Sequence, residues 1–206
     1  MDVLHESSSP VTTARVVVVG AESTGTTTLC EALCSHYQSL GAEFATTTWV
    51  PEFGRDYTLA KLQRAKEQDA DVTMDDLVWT DEDFLSIARE QNWLEDHGAA
   101  ISGRVLICDT DAFATSLWQE RYLHHITDDV RQLSFASPRV LYIVTSHIGV
   151  AFDADDIRDG EHLREWMTNR FCEELSRQEA PWIVLDGYDQ QQRLSLAIEA
   201  IDGALA

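Results

Sequence analysis

The sequence is poor in basic residues, and lysine is almost missing from it. The 206 residues include 15 lysines and arginines against 36 acidic residues, a formal net charge of −21, and the only lysines are Lys61 and Lys66. Binding to duplex nucleic acid or to an anionic membrane depends on basic side chains that neutralise phosphates. This composition therefore argues against both kinds of partner.

Long hydrophobic runs and paired cysteines are also missing. No apolar stretch approaches the ~20 residues that a membrane-spanning helix needs, and residues 1–10 lack the basic and apolar regions of a signal peptide. The four cysteines form no CxxC pair and no zinc-type spacing with histidine, which favours reduced thiols. We expect a cytosolic protein of one domain over residues 1–206, with residues 1–13 as a flexible tail.

Short β-rich runs alternate with helical patterns along the chain. Continuous apolar runs predict buried parallel strands at 15–19, 105–108, 140–145 and 182–185, and the Thr-rich segment 43–50 predicts another. Helical patterns cover 26–40, 81–98, 111–122, 161–178 and 190–206. Such alternation predicts an α/β fold with a parallel sheet, and the charged segment 56–80 is expected to be irregular.

The most specific motif follows the first predicted strand. Gly20 and Gly25 enclose a G-x-x-x-x-G pattern, and hydroxyl residues then open a helix. Glycines permit unusual backbone angles, and N–H groups at a helix N-terminus converge on an anion. The motif predicts a phosphate loop, although a glycine-rich turn without a ligand is the alternative. The residues predicted to bind nucleotide phosphates are Gly20, Glu22, Ser23, Thr24, Gly25, Thr26, Thr27 and Thr28.

Thr26 stands where a phosphate loop of this kind carries lysine. The ammonium group of that lysine contacts the β- and γ-phosphates and stabilises the transition state by several kcal/mol. Without it, nucleotide binding can persist through the backbone N–H groups, the helix dipole and Mg²⁺. Phosphoryl transfer should be slow unless an arginine supplies the charge, and Arg55, Arg158 and Arg170 are the candidates.

Two carboxylates follow the predicted strand 105–108. Ligands of open α/β sheets bind at the carboxyl ends of the strands, so Asp109 is predicted to hold Mg²⁺ with Thr27, and a helix N-cap is the alternative. In the next helix, Asp111, Thr115, Trp118 and Tyr122 share one face. This face suits a ribosyl ring and a flat base, and it equally suits an ordinary aromatic core.

Polar residues also follow the predicted strand 43–50. Glu52 is predicted to accept a proton from a sugar hydroxyl and Arg55 to bind phosphate or substrate, with a salt-bridged surface turn as the alternative. Gln91 lies within the apolar stripe of the helix 81–98, either as an amide that lines a pocket or as a hydrogen-bonded core residue.

An acidic loop precedes the predicted helix 161–178. The loop contains Asp155 and Arg158, and the helix carries Arg170. We expect residues 152–178 to form a lid that closes over the phosphates, and a solvated loop beside a helix is the alternative.

Five motifs in this order resemble the bacterial ribosylnicotinamide kinases, the kinase domain of NadR-type NAD salvage proteins in the P-loop nucleoside and nucleotide kinase group. The motifs are GAESTGTTTL, PEFGRDY, DEDFLSIAREQ, ICDTDAFATSLWQERY and FDADDIRDG. The resemblance implies a three-layer α/β sandwich with a five-stranded parallel sheet. It also implies ATP- and Mg²⁺-dependent phosphorylation of the 5′-hydroxyl of nicotinamide riboside to nicotinamide mononucleotide. The adenylyltransferase and DNA-binding domains of larger relatives do not fit in this length, which predicts a stand-alone kinase unit.

The chain departs from that family's pattern at Thr26 and at Pro51. Pro51 stands where related kinases often carry an aromatic residue that stacks on nicotinamide, so Trp49 or Trp118 is expected to serve instead. The residues predicted to act in catalysis are Glu52 or Asp111 as the base and Arg158. The residues predicted to bind the nucleoside are Trp49, Arg55, Gln91, Thr115, Trp118, Tyr122 and Asp155. A nucleotide-binding sensor without turnover and a kinase of another nucleoside are the alternatives.

Overall fold

A computed structural model describes residues 12–153, 160–187 and 189–206. Its strands are β1 (Ala14–Gly20), β2 (Thr48–Val50), β3 (Val105–Asp109), β4 (Leu141–Thr145) and β5 (Trp182–Leu185). All neighbouring strands pair in parallel, in the order β2-β3-β1-β4-β5. The predicted five-stranded parallel sheet is therefore confirmed.

Helices cover both faces of this sheet. The α-helices of the described residues are α1 (Thr26–Leu40), α2 (Phe53–Gln68), α3 (Asp81–Ile101), α4 (Ala112–Leu123), α5 (Asp128–Ser134), α6 (Arg164–Leu175) and α7 (Gln190–Leu205). Among the described helices, none is long and apolar enough to cross a membrane.

The valines of β1 explain the layering. Val17 and Val19 pack on one face with side chains of α4 and α6, such as Phe113 and Phe171. Val16 and Val18 pack on the other face with side chains of α1 and α7. All four valines are fully buried, because successive side chains of a strand point to opposite faces and helices cover both. The three-layer α/β sandwich is thus confirmed.

Three elements differ from the sequence predictions. The segment 56–80, expected to be irregular, is largely helical because α2 runs from Phe53 to Gln68. Its only buried residue is Leu62, so the helix lacks the apolar stripe by which helices are recognised. The sequence analysis did not predict α5, because a helix of seven residues is too short to show a clear helical pattern. The predicted strand 43–50 is reduced to β2, after a 3₁₀ turn at Ala42–Phe44.

The strand register brings the candidate residues to one edge of the sheet. Val18 of β1 lies opposite Asp109 of β3, and Val50 of β2 lies opposite Cys108. The carboxyl ends of β1, β2 and β3 therefore lie side by side. The predicted phosphate loop follows β1, Glu52 follows β2, and the residues that precede α4 follow β3.

Candidate functional site

The loop between β1 and α1 turns sharply after Gly20. Ser23 and Gly25 both have left-handed backbone angles, with φ of 56° and 83°. A Cβ on Gly20 would lie 2.2 Å from Oγ1 of Thr145 and 2.4 Å from Oγ1 of Thr24, two buried hydroxyls that hydrogen-bond each other. Only glycine fits at position 20. The loop ends at the N-terminus of α1, where N–H groups without helical partners can bind an anion.

Two arginines from distant helices hold this loop by its carbonyl groups. Arg164 of α6 donates to the carbonyl oxygen of Ser23 at 2.9 Å. Arg193 of α7 donates to that of Thr24 at 2.8 Å. The two residues are 6% and 5% exposed, and burial lowers the pKa of both guanidinium groups. Neither was among the predicted site residues, because no local motif indicates a contact between elements so far apart in the chain.

Thr27 and Asp109 form the predicted pair at the start of α1. The Thr27 hydroxyl donates to Oδ2 of Asp109 at 2.6 Å. Asp109 is 1% exposed, and burial raises the pKa of its carboxyl to about 6. Within the described residues, Oδ1 of Asp109 has no hydrogen-bond partner. The Thr27 hydroxyl and the carboxylate oxygen of Asp109 that lacks a hydrogen-bond partner could both coordinate Mg²⁺, because this ion prefers oxygen ligands.

A cavity of about 460 Å³ opens beside the loop. Its volume is within the range of small-molecule sites. The phosphate-loop residues 20–23 and 26–28 line one part of it, and aromatic rings line another. The polar lining includes Glu52, Arg55, Gln91 and Thr115. Six predicted site residues outside the loop thus share this cavity: these four together with Trp118 and Tyr122.

The aromatic lining is larger than predicted. Trp118 and Tyr122 of α4 are joined by Trp79, which precedes α3, and by Phe84 of α3. The ring of Trp79 lies 5.2 Å from that of Tyr122 and 5.4 Å from that of Phe84, and Tyr122 stacks on Trp118 at 6.5 Å. Trp79 was missed because it lies in the segment expected to be irregular. Phe84 was not among the predicted site residues.

Gln91 supports the loop that carries Glu52. Its Oε1 accepts a hydrogen bond from the N–H of Phe53 at 2.9 Å, while its Nε2 lies 3.5 Å from Oε1 of Glu95. Gln91 is 1% exposed and lines the cavity. The two interpretations of this residue are therefore compatible, since one amide both lines the cavity and bonds in the core.

The position of Asp111 does not support its predicted role as a base. The side chain is fully buried and does not line the cavity. It caps α4, since its Oδ1 accepts a hydrogen bond from the N–H of Ala114 at 3.0 Å. Its Oδ2 accepts from the Tyr142 hydroxyl at 2.8 Å and lies 3.4 Å from Nε of Arg139. Burial raises the pKa of Asp111, and the Arg139 charge opposes that shift. The side chain is thus a structural cap at the start of the helix that carries Trp118 and Tyr122.

A buried ion cluster extends from this cap. Arg139 also pairs with Glu95 at 2.7 Å, and both side chains are at most 1% exposed. Burial is the main cause that raises the pKa of Glu95. The cluster joins α3, which carries Gln91 and Glu95, to α4 through its cap.

Trp49 and Arg170 also lie outside the cavity lining. Trp49 packs on the sheet face that contacts α1, because neighbouring residues of β2 point to opposite faces. Arg170 pairs with Glu120, Glu173 and Glu174 at distances of 2.7 to 3.0 Å. These carboxylates compensate its charge, so its position does not support phosphate binding.

The predicted lid is described only in part. Asp155 and Arg158 lie outside the described residues. At the start of the lid, the Ser23 hydroxyl lies 3.1 Å from the carbonyl oxygen of Asp153 and 3.2 Å from its N–H. The phosphate loop therefore contacts the first residues of the predicted lid.

Arg121 is another residue that the sequence analysis missed. Its guanidinium group lies 5.0 Å from the ring of Trp118 and 4.6 Å from that of Tyr122. It also pairs with Glu22 of the phosphate loop at 3.3 Å. Arg121 thus connects the two parts of the site: it makes cation–π contacts with the aromatic lining and an ion pair with the phosphate loop.

Comparisons with known proteins agree with this geometry. A family profile described as an AAA domain matches residues 15–193. A structure of NadR protein in complex with NR has a TM-score of 0.66 and 19% identity, over 95% of this chain and 51% of that one. NadR in complex with NAD and AMP-PNP gives 0.61 and 20%, over 94% and 50%.

Thymidylate kinase from Ehrlichia chaffeensis has a TM-score of 0.61 at 12% identity, over 92% of this chain and 98% of that one. The chain spans about half the length of the NadR chains. No curated protein sequence matches it. With most of its length matched by the family profile, the chain belongs to the AAA domain family, and its fold is similar to those of the NadR and thymidylate kinase structures.

Proposed function

We propose that the protein transfers the γ-phosphoryl group of ATP to the 5′-hydroxyl of nicotinamide riboside, giving nicotinamide mononucleotide and ADP. The observation that carries this proposal is the single cavity lined both by the phosphate loop and by four aromatic rings. A nucleoside kinase has to hold a polyphosphate and a flat base in one cavity, with the sugar hydroxyl between them. The NadR structures in complex with NR and with NAD and AMP-PNP support the choice of ligands.

The charge of the substrate supports nicotinamide riboside over neutral nucleosides. Its pyridinium ring is cationic, and the faces of tryptophan and tyrosine rings attract cations. The aromatic rings that line the cavity are Trp79, Phe84, Trp118 and Tyr122.

Glu52 is proposed as the base. As the 5′-oxygen bonds to the γ-phosphorus, its proton passes to the Glu52 carboxylate. The bond from the γ-phosphorus to the bridging oxygen breaks, and ADP leaves with that electron pair. Arg55, which lines the same cavity, is proposed to bind the transferred phosphoryl group. Mg²⁺, when held by Thr27 and Asp109, supplies charge neutralisation to the phosphates. Phosphoryl transfer depends mostly on positioning and electrostatics, so the base contributes less than the cations.

The test is an incubation of the purified protein with Mg-ATP and nicotinamide riboside, with the mononucleotide detected by mass spectrometry. Glu52→Gln should lower kcat about 10²-fold and leave the ATP dissociation constant unchanged. The matched control is Glu67→Gln, an exposed glutamate of α2, which should behave like the unmodified protein. Uridine and thymidine serve as competing substrates. Turnover of thymidine but not of nicotinamide riboside would instead identify a kinase of another nucleoside.

The second candidate function is nucleotide sensing without turnover, and Thr26 favours it. Thr26 lines the cavity where the lysine of an active phosphate loop would act. A sensor would bind ATP in calorimetry and form no mononucleotide, even after the substitution Thr26→Lys. Product formation by the unmodified protein excludes the sensor.

A further inference from the structure

Helix α2 begins directly after Glu52, the proposed base, and apolar packing holds this helix only weakly. Its only buried residue is Leu62, and a helix gains most of its stability in a protein from burying an apolar face. The position of α2 therefore depends on polar contacts with α3. Asp83 of α3 pairs with Lys61 at 2.8 Å. Gln91 of α3 accepts a hydrogen bond from the first N–H of α2 at 2.9 Å.

The contact from Gln91 acts on the residue next to Glu52. Glu52 is the N-cap of α2, and within the described part of the chain its side chain makes no capping hydrogen bond. The N–H of Phe53 is one of the donors that a helix start leaves without a helical partner, and Gln91 satisfies it from the neighbouring helix. Glu52 lines the cavity, and its Oε1 lies 3.4 Å from where a Cβ on Gly54 would be. The carboxyl group thus lies beside the turn that Gln91 holds.

The contacts of Gln91 determine which way its amide points. The N–H of Phe53 can only donate, so it must meet the amide oxygen rather than the amide nitrogen. The nitrogen then faces Oε1 of Glu95, one helical turn further along α3, at 3.5 Å. Gln91 is 1% exposed, so solvent does not compete for these contacts.

The carboxylate that faces this amide belongs to the buried ion cluster. Glu95 pairs with Arg139 at 2.7 Å, and Nε of Arg139 lies 3.4 Å from Asp111, the cap of α4. Helix α4 carries Trp118 and Tyr122 of the aromatic lining. One buried network therefore connects the start of α2, beside the proposed base, to the start of the helix that carries two of the rings.

We infer that Gln91 is a positioning residue for Glu52, because it holds the first turn of α2 at the distance from the aromatic lining that phosphoryl transfer requires. The inference rests on Glu52 as the base of the proposed function and holds for any nucleoside substrate. Misplacement of a reacting group by about 1 Å is enough to slow a reaction strongly. Gln91 acts here through the backbone of α2 and not through a contact with the substrate.

The test is a double-substitution cycle that combines Gln91→Met with Glu52→Gln. Methionine keeps the length of the side chain but lacks a strong hydrogen-bond acceptor. Gln91→Met should lower kcat about tenfold and leave both KM for nicotinamide riboside and the ATP dissociation constant within about threefold. In the Glu52→Gln protein the same substitution should lower kcat less than about twofold. The position of the carboxylate no longer matters once the carboxylate is removed.

The matched control is Asn92→Leu, at the next residue of α3. Nδ2 of Asn92 also bonds to a backbone group, the carbonyl oxygen of Leu133 at 3.0 Å, and Asn92 lies outside the described cavity lining. This substitution removes a hydrogen bond between α3 and its surroundings, and it should leave kcat unchanged. It shows whether a loosened α3 is by itself enough to slow the reaction.

A conservative substitution should restore the function of the amide. Gln91→Glu should recover most of the kcat that Gln91→Met loses, because a carboxyl oxygen accepts from the N–H of Phe53 in either protonation state. Its other oxygen can share a proton with Glu95, since two buried carboxyl groups this close do not both ionise. If Gln91→Met does not fold in urea titrations, Gln91→Asn takes its place. Its amide is one carbon shorter, and it should show the same loss of kcat.

Four results overturn the inference and leave the proposed function in place. Gln91→Met could leave kcat unchanged, or lower it equally with and without Glu52. It could raise KM alone, which would mean that Gln91 binds the nucleoside itself. Gln91→Glu could fail to recover activity, or Asn92→Leu could lose as much kcat as Gln91→Met.

Other results separate the inference from the proposed function. If only thymidine is phosphorylated, the same cycle is measured with thymidine, and the expected pattern then supports the inference and refutes only the choice of nicotinamide riboside. If Glu52→Gln leaves kcat unchanged, Glu52 is not the base, and the inference falls with that assignment. A protein that phosphorylates no nucleoside overturns the inference and the proposed function together.

Discussion

Replacing Asp109 by asparagine should make the protein without Mg²⁺ more stable at pH 8, although it removes a proposed metal ligand. The carboxyl is 1% exposed, and burial raises its pKa from 3.8 to about 6. Each pKa unit corresponds to about 1.4 kcal/mol, so the ionised form costs the folded state about 3 kcal/mol. Asparagine has nearly the same shape, carries no charge and still accepts the hydrogen bond from Thr27.

The size of this gain depends on pH. Well below pH 3.8 the Asp109 carboxyl is protonated in both the folded and the unfolded chain, so it has no effect on stability. As the pH rises from 3.8 to about 6, the unfolded chain ionises first, which favours unfolding. At higher pH the penalty is complete. Asp109→Asn should therefore raise the free energy of unfolding by about 1–3 kcal/mol at pH 8 and change it little at about pH 4.

The assay is urea unfolding at both pH values in the presence of a chelator. Asp83→Asn is the control of opposite sign, because Asp83 is also buried but pairs with Lys61 at 2.8 Å. Burial opposes ionisation of Asp83, but hydrogen bonds from Lys61, Tyr57 and Thr80 outweigh it and lower the pKa, so this substitution should destabilise the protein at pH 8. Addition of Mg-ATP should then stabilise the unmodified protein more than Asp109→Asn. An equal gain at both pH values, or a loss at pH 8, would refute the reasoning.

Three further predictions concern the loop and the aromatic lining. Gly20→Ala places a Cβ 2.2 Å from Oγ1 of Thr145, so the free energy of unfolding in urea should fall by about 1–3 kcal/mol, and an unchanged value would contradict the close approach. Thr26→Lys should raise kcat for nicotinamide riboside at least about tenfold in the mass-spectrometric assay, because an ammonium group would neutralise the transferred phosphates. No gain would mean that another cation already supplies that charge. Tyr122→Leu should raise KM for nicotinamide riboside about tenfold with the ATP dissociation constant unchanged, and an equal loss for both ligands would rule out separate subsites.

Features of the site that depend on local sequence could be predicted. A strand, a glycine-bounded loop and a helix that opens with hydroxyl residues are contiguous, so Gly20, Thr27 and their loop were identified without tertiary information. Asp109 was identified for a related reason, because the carboxyl ends of adjacent parallel strands share one edge of the sheet. Trp118 and Tyr122 followed from helical spacing, and both line the cavity.

Features that depend on contacts between distant segments could not be predicted. Asp109 and Asp111 have the same local pattern, and their environments differ because Arg139 and Tyr142 approach only Asp111. Trp79 reaches the cavity from a segment without an apolar stripe.

The sequence by itself determined the parallel α/β architecture and the phosphate loop, because strand and helix periodicity and glycine spacing act over a few residues. Only the tertiary structure decided which acid faces the cavity, which rings line it and which arginines contact the loop. Arg164 and Arg193 illustrate the reason: each meets a loop carbonyl more than a hundred residues away in the chain. Such contacts depend on how the helices pack against the sheet, and no local pattern of residues encodes them.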